Sequence, residues 1–196
     1  MMKVIDNFFK DPYAVRKLAL SSTYPENRED DHNWPGDRAY VEEPHRSIYV
    51  NQYKKVFDEP AELGHMYFQS IEKSYCEGVC HPDDYKYTVI TYLNLEPPHN
   101  SGTEIYGESG ESFYKRRKFD FNKIKTDFNG SNRTLLDQFL FKKNLKRFNS
   151  VFKNPCVVSN KFNRTVIFYG DMVHRAQNFF GTTVSNSRLT LVSFYK

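Results

Sequence analysis

The chain has 196 residues, which suits one domain and is enough to bury a hydrophobic core without disulfide or metal staples. Its net charge of +4 does not by itself indicate a nucleic-acid partner, and no apolar run is long enough to span a membrane. Three cysteines, an odd number, form no disulfide framework, and the chain starts without an apolar signal region. We therefore expect a cytoplasmic protein with no membrane partner.

The first third of the chain predicts helices joined by a polar loop. Residues 2–6 predict a short strand, and a helix over 12–20 follows, because Asp11 can cap it and Pro12 suits its first turn. Residues 24–39 are polar and contain two prolines and a glycine, which predicts a loop. Apolar residues at helical spacing predict a second helix around 60–74, namely Leu63, Met66, Tyr67 and Ile71.

The second half of the chain predicts β structure. Segment 87–95 is dense in β-branched and aromatic residues and carries apolar groups on both faces, as a buried interior strand does. A turn over 97–102 ends it, and 103–106 begins another strand. Further strands are predicted over 155–159, 165–169 and 188–195. An aromatic fraction of 16% adds to this pattern, which favours a mainly β fold supported by N-terminal helices, either a sandwich or a barrel.

Residues 107–153 stand out by their charge. They carry 12 Lys and Arg against 5 Asp and Glu, a net charge of +7, and a helix is expected near 134–148. We interpret the segment as a basic insertion over the core, not as a second domain. It is either a solvated surface or a surface that contacts an anionic partner.

Two side chains of metal-ligand type stand close together in His81-Pro82-Asp83. Side chains two residues apart in an extended segment point to the same side, so an imidazole and a carboxylate can bind one ion. Two histidines and one carboxylate form the facial triad of non-haem Fe(II) oxygenases, which leaves coordination positions open. His174, after the strand 165–169 and a short turn, is the best candidate for the third ligand. Asp84 could compete with Asp83, but neighbours in an extended segment point opposite ways.

Arg188 begins the last predicted strand, 14 residues after His174. A gap of this length lets the chain turn back, which would place Arg188 near the metal. A guanidinium can bind the free end of a dicarboxylate through two parallel hydrogen bonds. Thr190 shares a face of the strand with Arg188 and is expected to line the same pocket.

Five short motifs follow one another along the chain: His81-x-Asp83, Thr91-Tyr92-Leu93-Asn94, Ser101-Gly102-Thr103, the run from Asn163 to His174, and Arg188-Leu-Thr-Leu-Val-Ser-Phe. In this order they resemble the Fe(II)/2-oxoglutarate-dependent oxygenases, most closely their prolyl-hydroxylase-like branch. The start of the chain and Trp34-Pro35-Gly36 are similar to small bacterial and phage members. The resemblance covers residues 3–195 and is loose over 107–153.

The resemblance implies a double-stranded β-helix core of the jelly-roll type, in a single oxygenase domain over 1–196. It implies that Fe(II) is bound by His81, Asp83 and His174. It further implies that Arg188 binds the distal carboxylate of 2-oxoglutarate and that Tyr92 reaches the same carboxylate. It does not identify the residue that contacts the C1 carboxylate.

The reaction implied by the resemblance consumes 2-oxoglutarate and O2, releases succinate and CO2, and hydroxylates an amino-acid side chain, free or in a peptide or protein. Two alternatives remain open. The basic segment would suit a nucleic-acid-modifying oxygenase of the same family. The same barrel without turnover would be a non-catalytic binding module, although a lapsed site should lose a ligand and this one keeps its triad and Arg188.

Overall fold

The computed structural model describes residues 2–25, 36–75, 77–111 and 135–196. The strands are β1 (Met2–Ile5), β2 (Asp37–Tyr40), β3 (Leu63–Ile71), β4 (Tyr87–Tyr92), β5 (Thr103–Ser109), β6 (Cys156–Val158), β7 (Thr165–Tyr169), β8 (Met172–Ala176) and β9 (Arg188–Tyr195). The helices are α1 (Pro12–Ser21), α2 (His45–Lys54) and α3 (Leu135–Asn149), with a 3-10 turn over Lys73–Tyr75.

The strands form two antiparallel sheets. The larger sheet has the order β1-β7-β4-β9-β3-β2, so that β4 and β9 lie at its centre and β2 lies at one edge. The smaller sheet has the order β6-β5-β8. Ile90 and Tyr92 of the larger sheet share a buried cluster with Ile105 and Val158 of the smaller one, so the two sheets pack face to face. This two-layer arrangement is how an antiparallel sheet buries its apolar face.

Helices α1 and α2 cover the other face of the larger sheet. Val15 and Ala19 of α1 and Tyr53 of α2 belong to the same buried cluster as Leu189 and Leu191 of β9. Asp11 accepts a hydrogen bond from the amide of Ala14, which caps the start of α1 as the sequence predicts. With one face on the helices and one on the smaller sheet, strand β9 is buried along almost its whole length.

The predicted helix around 60–74 is wrong, because this segment forms strand β3. Its residues pair with β9 over most of its length, from Leu63 opposite Tyr195 to Ile71 opposite Arg188. The strand is buried on both faces, so its apolar residues do not alternate and also fit helical spacing. Periodicity alone therefore could not distinguish the two structures.

The predicted loop over 24–39 is also wrong at its end, where Asp37 to Ala39 belong to strand β2. Helix α2 was not predicted, since its sequence is polar and only Tyr49 and Tyr53 are buried. The other predicted strands lie within a few residues of the observed ones, and strand β8, which contains His174, was not predicted. Residues 26–35, with the Trp34-Pro35 motif, lie outside the described residues.

The basic segment 107–153 contains the end of β5 and helix α3, and its residues 112–134 lie outside the described residues. The buried α3 residues Phe141, Leu145 and Phe148 pack against Val79 and Tyr106 beside the smaller sheet. None of the described helices is long and apolar enough to cross a membrane.

Candidate metal and co-substrate site

The two predicted histidine ligands lie opposite each other on paired backbone. The amide of His81 donates to the carbonyl of His174 over 3.0 Å, and the reverse bond is 2.9 Å. The rings lie on the same side, with centroids 4.5 Å apart. The segment before β4 therefore lies antiparallel alongside strand β8 at this point. This pairing brings together two residues 93 positions apart in sequence.

Asp83 completes the cluster. Its Oδ1 lies 3.6 Å from Nε2 of His81, and its Oδ2 lies 3.3 Å from Nε2 of His174. The amide of Asp83 donates to the carbonyl of Gly170 over 2.7 Å, which fixes the segment on the β7–β8 turn. A Cβ at Gly170 would lie 2.2 Å from the carbonyl oxygen of Tyr85, so a glycine is required for this close approach. Asp84 is exposed and lies outside the cluster.

Both imidazoles are oriented for metal binding. Nδ1 of His81 lies 2.8 Å from the carbonyl of Val79, and Nδ1 of His174 lies 2.9 Å from the carbonyl of Met172. A carbonyl can only accept, so each Nδ1 is the donor of its pair, and each Nε2 is the ring nitrogen directed to Asp83. One ligand atom from each of the three side chains lies within 4.8 Å of the others, a spacing that one metal ion can bridge.

Thr88 of β4 fixes the carboxylate. Its hydroxyl donates to Oδ2 of Asp83 over 2.6 Å, the kind of outer hydrogen bond that orients a metal-binding carboxylate. This role of Thr88 is not among those predicted from the sequence. The available signal was a polar side chain in a strand otherwise expected to be buried on both faces.

Arg188 lines the same cavity as the three cluster residues, a space of about 110 Å³ between the sheets. It is 2% exposed, and within the described residues it forms no ion pair. Its Nε donates to the carbonyl of Ser101 and one terminal nitrogen donates to the hydroxyl of Thr103, which uses only part of its five N–H donors. Burial lowers the pKa of Arg188, and the neighbouring Tyr92 acts in the opposite direction.

Of the two other predicted co-substrate residues, Tyr92 lies beside Arg188, whereas Thr190, expected to line the same pocket, is not among the residues that line the cavity. The Tyr92 ring centroid lies 5.6 Å from the guanidinium carbon, and its hydroxyl donates to Thr103 Oγ1 over 2.7 Å. Burial raises the pKa of Tyr92, while the charge of Arg188 opposes this. Thr190 pairs with Tyr92 across the sheet, and its buried hydroxyl has no hydrogen-bond partner within the described residues. Thr103, which the sequence motif contained without a role, accepts from both Tyr92 and Arg188.

The residues present fit Fe(II) and 2-oxoglutarate. Two neutral imidazoles and one carboxylate are the ligand set of the facial-triad iron sites. A buried guanidinium without a carboxylate partner would bind the free end of a dicarboxylate in the same cavity. Neither the backbone carbonyls near Arg188 nor its neighbouring hydroxyls balance its charge.

Three solved structures illustrate the likeness of the whole fold. HygX from Streptomyces hygroscopicus, with nickel and 2-oxoglutarate bound, has a TM-score of 0.57 at 13% identity over 99% of this chain and 82% of HygX. SnoN, a non-haem α-ketoglutarate-dependent epimerase from nogalamycin biosynthesis, has a TM-score of 0.55 at 11% identity over 99% and 75%. A 2OG-Fe(II) oxygenase-family oxidoreductase from Burkholderia pseudomallei has a TM-score of 0.55 at 12% identity over 100% and 84%.

These structural neighbours are 2-oxoglutarate- and Fe(II)-dependent enzymes, and the likeness confirms the predicted jelly-roll fold. The chain belongs to DUF6445, a family of unknown function whose model matches residues 1–195. No curated protein matches the sequence. The finer assignment to the prolyl-hydroxylase-like branch stays a prediction.

Proposed function

We propose that this protein is a 2-oxoglutarate-dependent Fe(II) oxygenase that acts as one domain. One observation carries the proposal. His81, Asp83 and His174 converge in the same buried cavity as Arg188, a cation with no anionic partner among the described residues. The jelly-roll fold that this chain has in common with known oxygenases supports it. A binding module without chemistry would have no evident use for three oriented metal-ligand side chains.

The roles follow from the contacts. His81 and His174 present their Nε2 atoms and Asp83 its carboxylate to Fe(II), while Thr88 and the two backbone carbonyls fix these side chains. Arg188 binds the distal carboxylate of 2-oxoglutarate, with Tyr92 at its side. Bound Fe(II) and 2-oxoglutarate supply the oxidation of a substrate C–H bond by O2, with release of succinate and CO2. The cavity between the sheets is largely apolar, which limits the contact of the reacting groups with bulk water.

The reaction we propose is hydroxylation of an amino-acid side chain, on the strength of the motif resemblance. The fold alone does not fix the outcome, because SnoN of similar fold is an epimerase and HygX has been crystallised with hygromycin B. Nucleic acid as a substrate stays a prediction, since its main support is the basic segment and residues 112–134 lie outside the described ones.

Anaerobic titration of the metal-free protein with Fe(II) and 2-oxoglutarate tests the proposal. The expected result is a weak visible metal-to-ligand charge-transfer band in the wild type and in His99→Ala, a control variant of an exposed turn histidine. Absence of the band in a folded protein would overturn the assignment. A band without any consumption of 2-oxoglutarate under O2 would favour the non-catalytic binding module.

A further inference from the structure

The cavity contains a second buried arginine that the proposed metal and co-substrate contacts do not use. Arg38 of β2 is 9% exposed and lines the cavity together with the metal cluster and Arg188. Its Nε is buried without a hydrogen-bond partner, and no carboxylate of the described ranges forms an ion pair with it. Its guanidinium carbon lies 4.8 Å from the centroid of the Tyr67 ring. The sequence gives no sign of this role, because the residues around Arg38 predict a loop.

The backbone of Arg38 is held in place by the sheet. Arg38 stands opposite Gln69 in the register of β2 with β3. Gly36, just before the strand, has a φ of +87°, and a Cβ there would lie 2.5 Å from the carbonyl oxygen of Ser70. Only glycine allows the strand to start so close to β3. Arg38 is therefore directed into the cavity by a fixed strand, as binding side chains in rigid sites are.

A buried guanidinium without an anion is unfavourable, because charge leaves water without compensation. The Tyr67 ring face attracts the cation and offsets only part of this penalty. Nε of Arg38 is covered by protein and has no hydrogen-bond partner among the described residues, while the side chain as a whole lines the cavity. A carboxylate is the anion whose two oxygens match the donor pair of a guanidinium.

The position of Arg38 separates it from the proposed co-substrate contacts. 2-Oxoglutarate has two carboxylates, of which one belongs on the metal and the other on Arg188. Strands β3 and β9 lie between β2 and β4, the strand that carries Thr88 against Asp83. At ordinary inter-strand spacing the backbones of β2 and β4 are about 14 Å apart. Arg38 is thus suited to an anion held at a distance from the metal.

We infer that Arg38 binds a free carboxylate of the prime substrate. The substrate is then a small carboxylic acid, such as a free amino acid, rather than an internal residue of a protein, which has no carboxylate of its own main chain to offer. This inference rests on the proposed function and narrows its substrate class. Binding of its carboxylate to Arg38 would fix one end of the substrate and leave the rest of the molecule to extend toward the His81, Asp83 and His174 cluster.

The test follows the arginine Nε–H signals by NMR in the 15N-labelled, full-length protein. Zn(II) serves as a redox-inert metal, and 2-oxoglutarate is added before the probe, which is sodium propionate, with propionamide as its uncharged counterpart. Spectra of Arg38→Lys and Arg46→Lys assign the two signals. Arg46, exposed and paired with Glu43, is the internal reference for weak anion contact.

The inference predicts that loading with Zn(II) and 2-oxoglutarate leaves the Arg38 signal in place. Propionate then shifts it saturably, at least about tenfold more tightly than at Arg46, because buried charged hydrogen bonds exceed exposed ones. Propionamide should have no effect. A shift caused by 2-oxoglutarate itself would assign Arg38 to the co-substrate and overturn the inference, as would the absence of a propionate shift.

A second measurement separates this inference from the proposed function. Arg38→Gln should keep the Fe(II)·2-oxoglutarate charge-transfer band at the wild-type co-substrate concentration. Loss of the band in this folded variant would also assign Arg38 to 2-oxoglutarate. If the wild type itself has no band, the oxygenase proposal fails, whereas a saturable propionate shift would still identify Arg38 as a carboxylate site.

Discussion

Two polar clusters lie on opposite faces of strand β8, and they differ in whether their charged groups have partners of opposite charge. On its outer face Arg175 lies between two carboxylates, with a hydrogen bond from Nε to Glu104 of 2.5 Å and a second ion pair with Glu77. Burial raises the pKa of Glu104, but hydrogen bonds from Arg175 and Tyr106 outweigh it and leave the pKa below its ordinary value. Each charged group of this cluster thus has a partner of opposite charge within the chain.

The charged groups on the inner face are not paired in this way. His174 precedes Arg175 and converges with His81 and Asp83, while Arg188 and Arg38 of the same cavity have no carboxylate partners among the described residues. His174 and Arg175, although adjacent on one strand, therefore belong to clusters with different roles. The cluster around Arg175 contributes to the stability of the fold. The cluster around His174 is complementary to charged groups that the chain does not contain. The predictions below test this division, starting with the largest effect.

Replacing His174 by Ala should abolish the charge-transfer band and the turnover of 2-oxoglutarate. Loss of an outer hydrogen-bond partner alone weakens metal binding roughly 10- to 100-fold, so loss of a ligand should exceed about 100-fold. The fold should survive, because the backbone pairing with His81 does not depend on the ring. Far-UV circular dichroism and the anaerobic titration measure both properties. Full turnover in this variant would remove the metal cluster from the mechanism.

Replacing Arg175 by Met should lower the stability of the fold and leave the metal site intact. Two partly buried carboxylates lose their partner, and the free energy of unfolding should fall by roughly 3 kcal/mol, the low end for a buried pair because the side chain remains partly exposed. Urea denaturation measures the loss. The folded protein should keep its charge-transfer band, since the metal cluster lies on the other face. A stable variant without the band would contradict the division between the two faces.

Replacing Arg188 by Met should weaken 2-oxoglutarate binding by about 100-fold, since hydrogen bonds to charged groups contribute about 1.5–3 kcal/mol each. Without co-substrate the variant should unfold at the same or higher urea concentration, because an apolar side chain replaces an uncompensated buried cation. Titration of the charge-transfer band against 2-oxoglutarate concentration provides the affinity, with exposed Arg46→Met as the matched control. A strongly destabilised Arg188→Met would mean that the cation is balanced by the chain after all.

The convergence of His81, Asp83 and His174 could be predicted from sequence because the pattern that points to it is local or distinctive. His81 and Asp83 are two residues apart on extended backbone, and His174 and Arg188 belong to motifs with a fixed order along the chain. The structure brings all four to one cavity. The pairing of His81 with His174, which produces the convergence, has no sequence signal of its own. It depends on the segment before β4 lying alongside β8.

Arg38 and strand β3 could not be predicted for a related reason. An interior strand buried on both faces loses the alternation that identifies strands, and β3 therefore resembled a helix. Strand β2 is short and follows a segment rich in turn residues, so a loop was the natural interpretation. Its pairing with β3 is a long-range contact, and only this contact makes Arg38 a cavity residue.

Replacing Thr88 by Val should lower Fe(II) affinity by about 10- to 100-fold, because the carboxylate of Asp83 loses the hydrogen bond that orients it. The matched control is Thr91→Val on the same strand, whose hydroxyl bonds Tyr53 and Thr165 in the buried core. This control should lose stability and keep its metal affinity. Competition with a chelator of known affinity measures the first effect and urea denaturation the second. Equal metal affinities in the two variants would show that Thr88 does not position the ligand.

The smallest effect is expected for Thr190→Val. The hydroxyl of Thr190 is buried without a partner, so its removal should leave the free energy of unfolding unchanged or slightly raise it. If Thr190 contacts 2-oxoglutarate beside Arg188, one hydrogen bond is lost on binding. A net contribution of about 0.5–1.5 kcal/mol then weakens co-substrate affinity by roughly 2- to 13-fold. An unchanged affinity, measured by the same band titration, would restrict the carboxylate site to Arg188 and its hydrogen-bonded neighbours Thr103 and Tyr92.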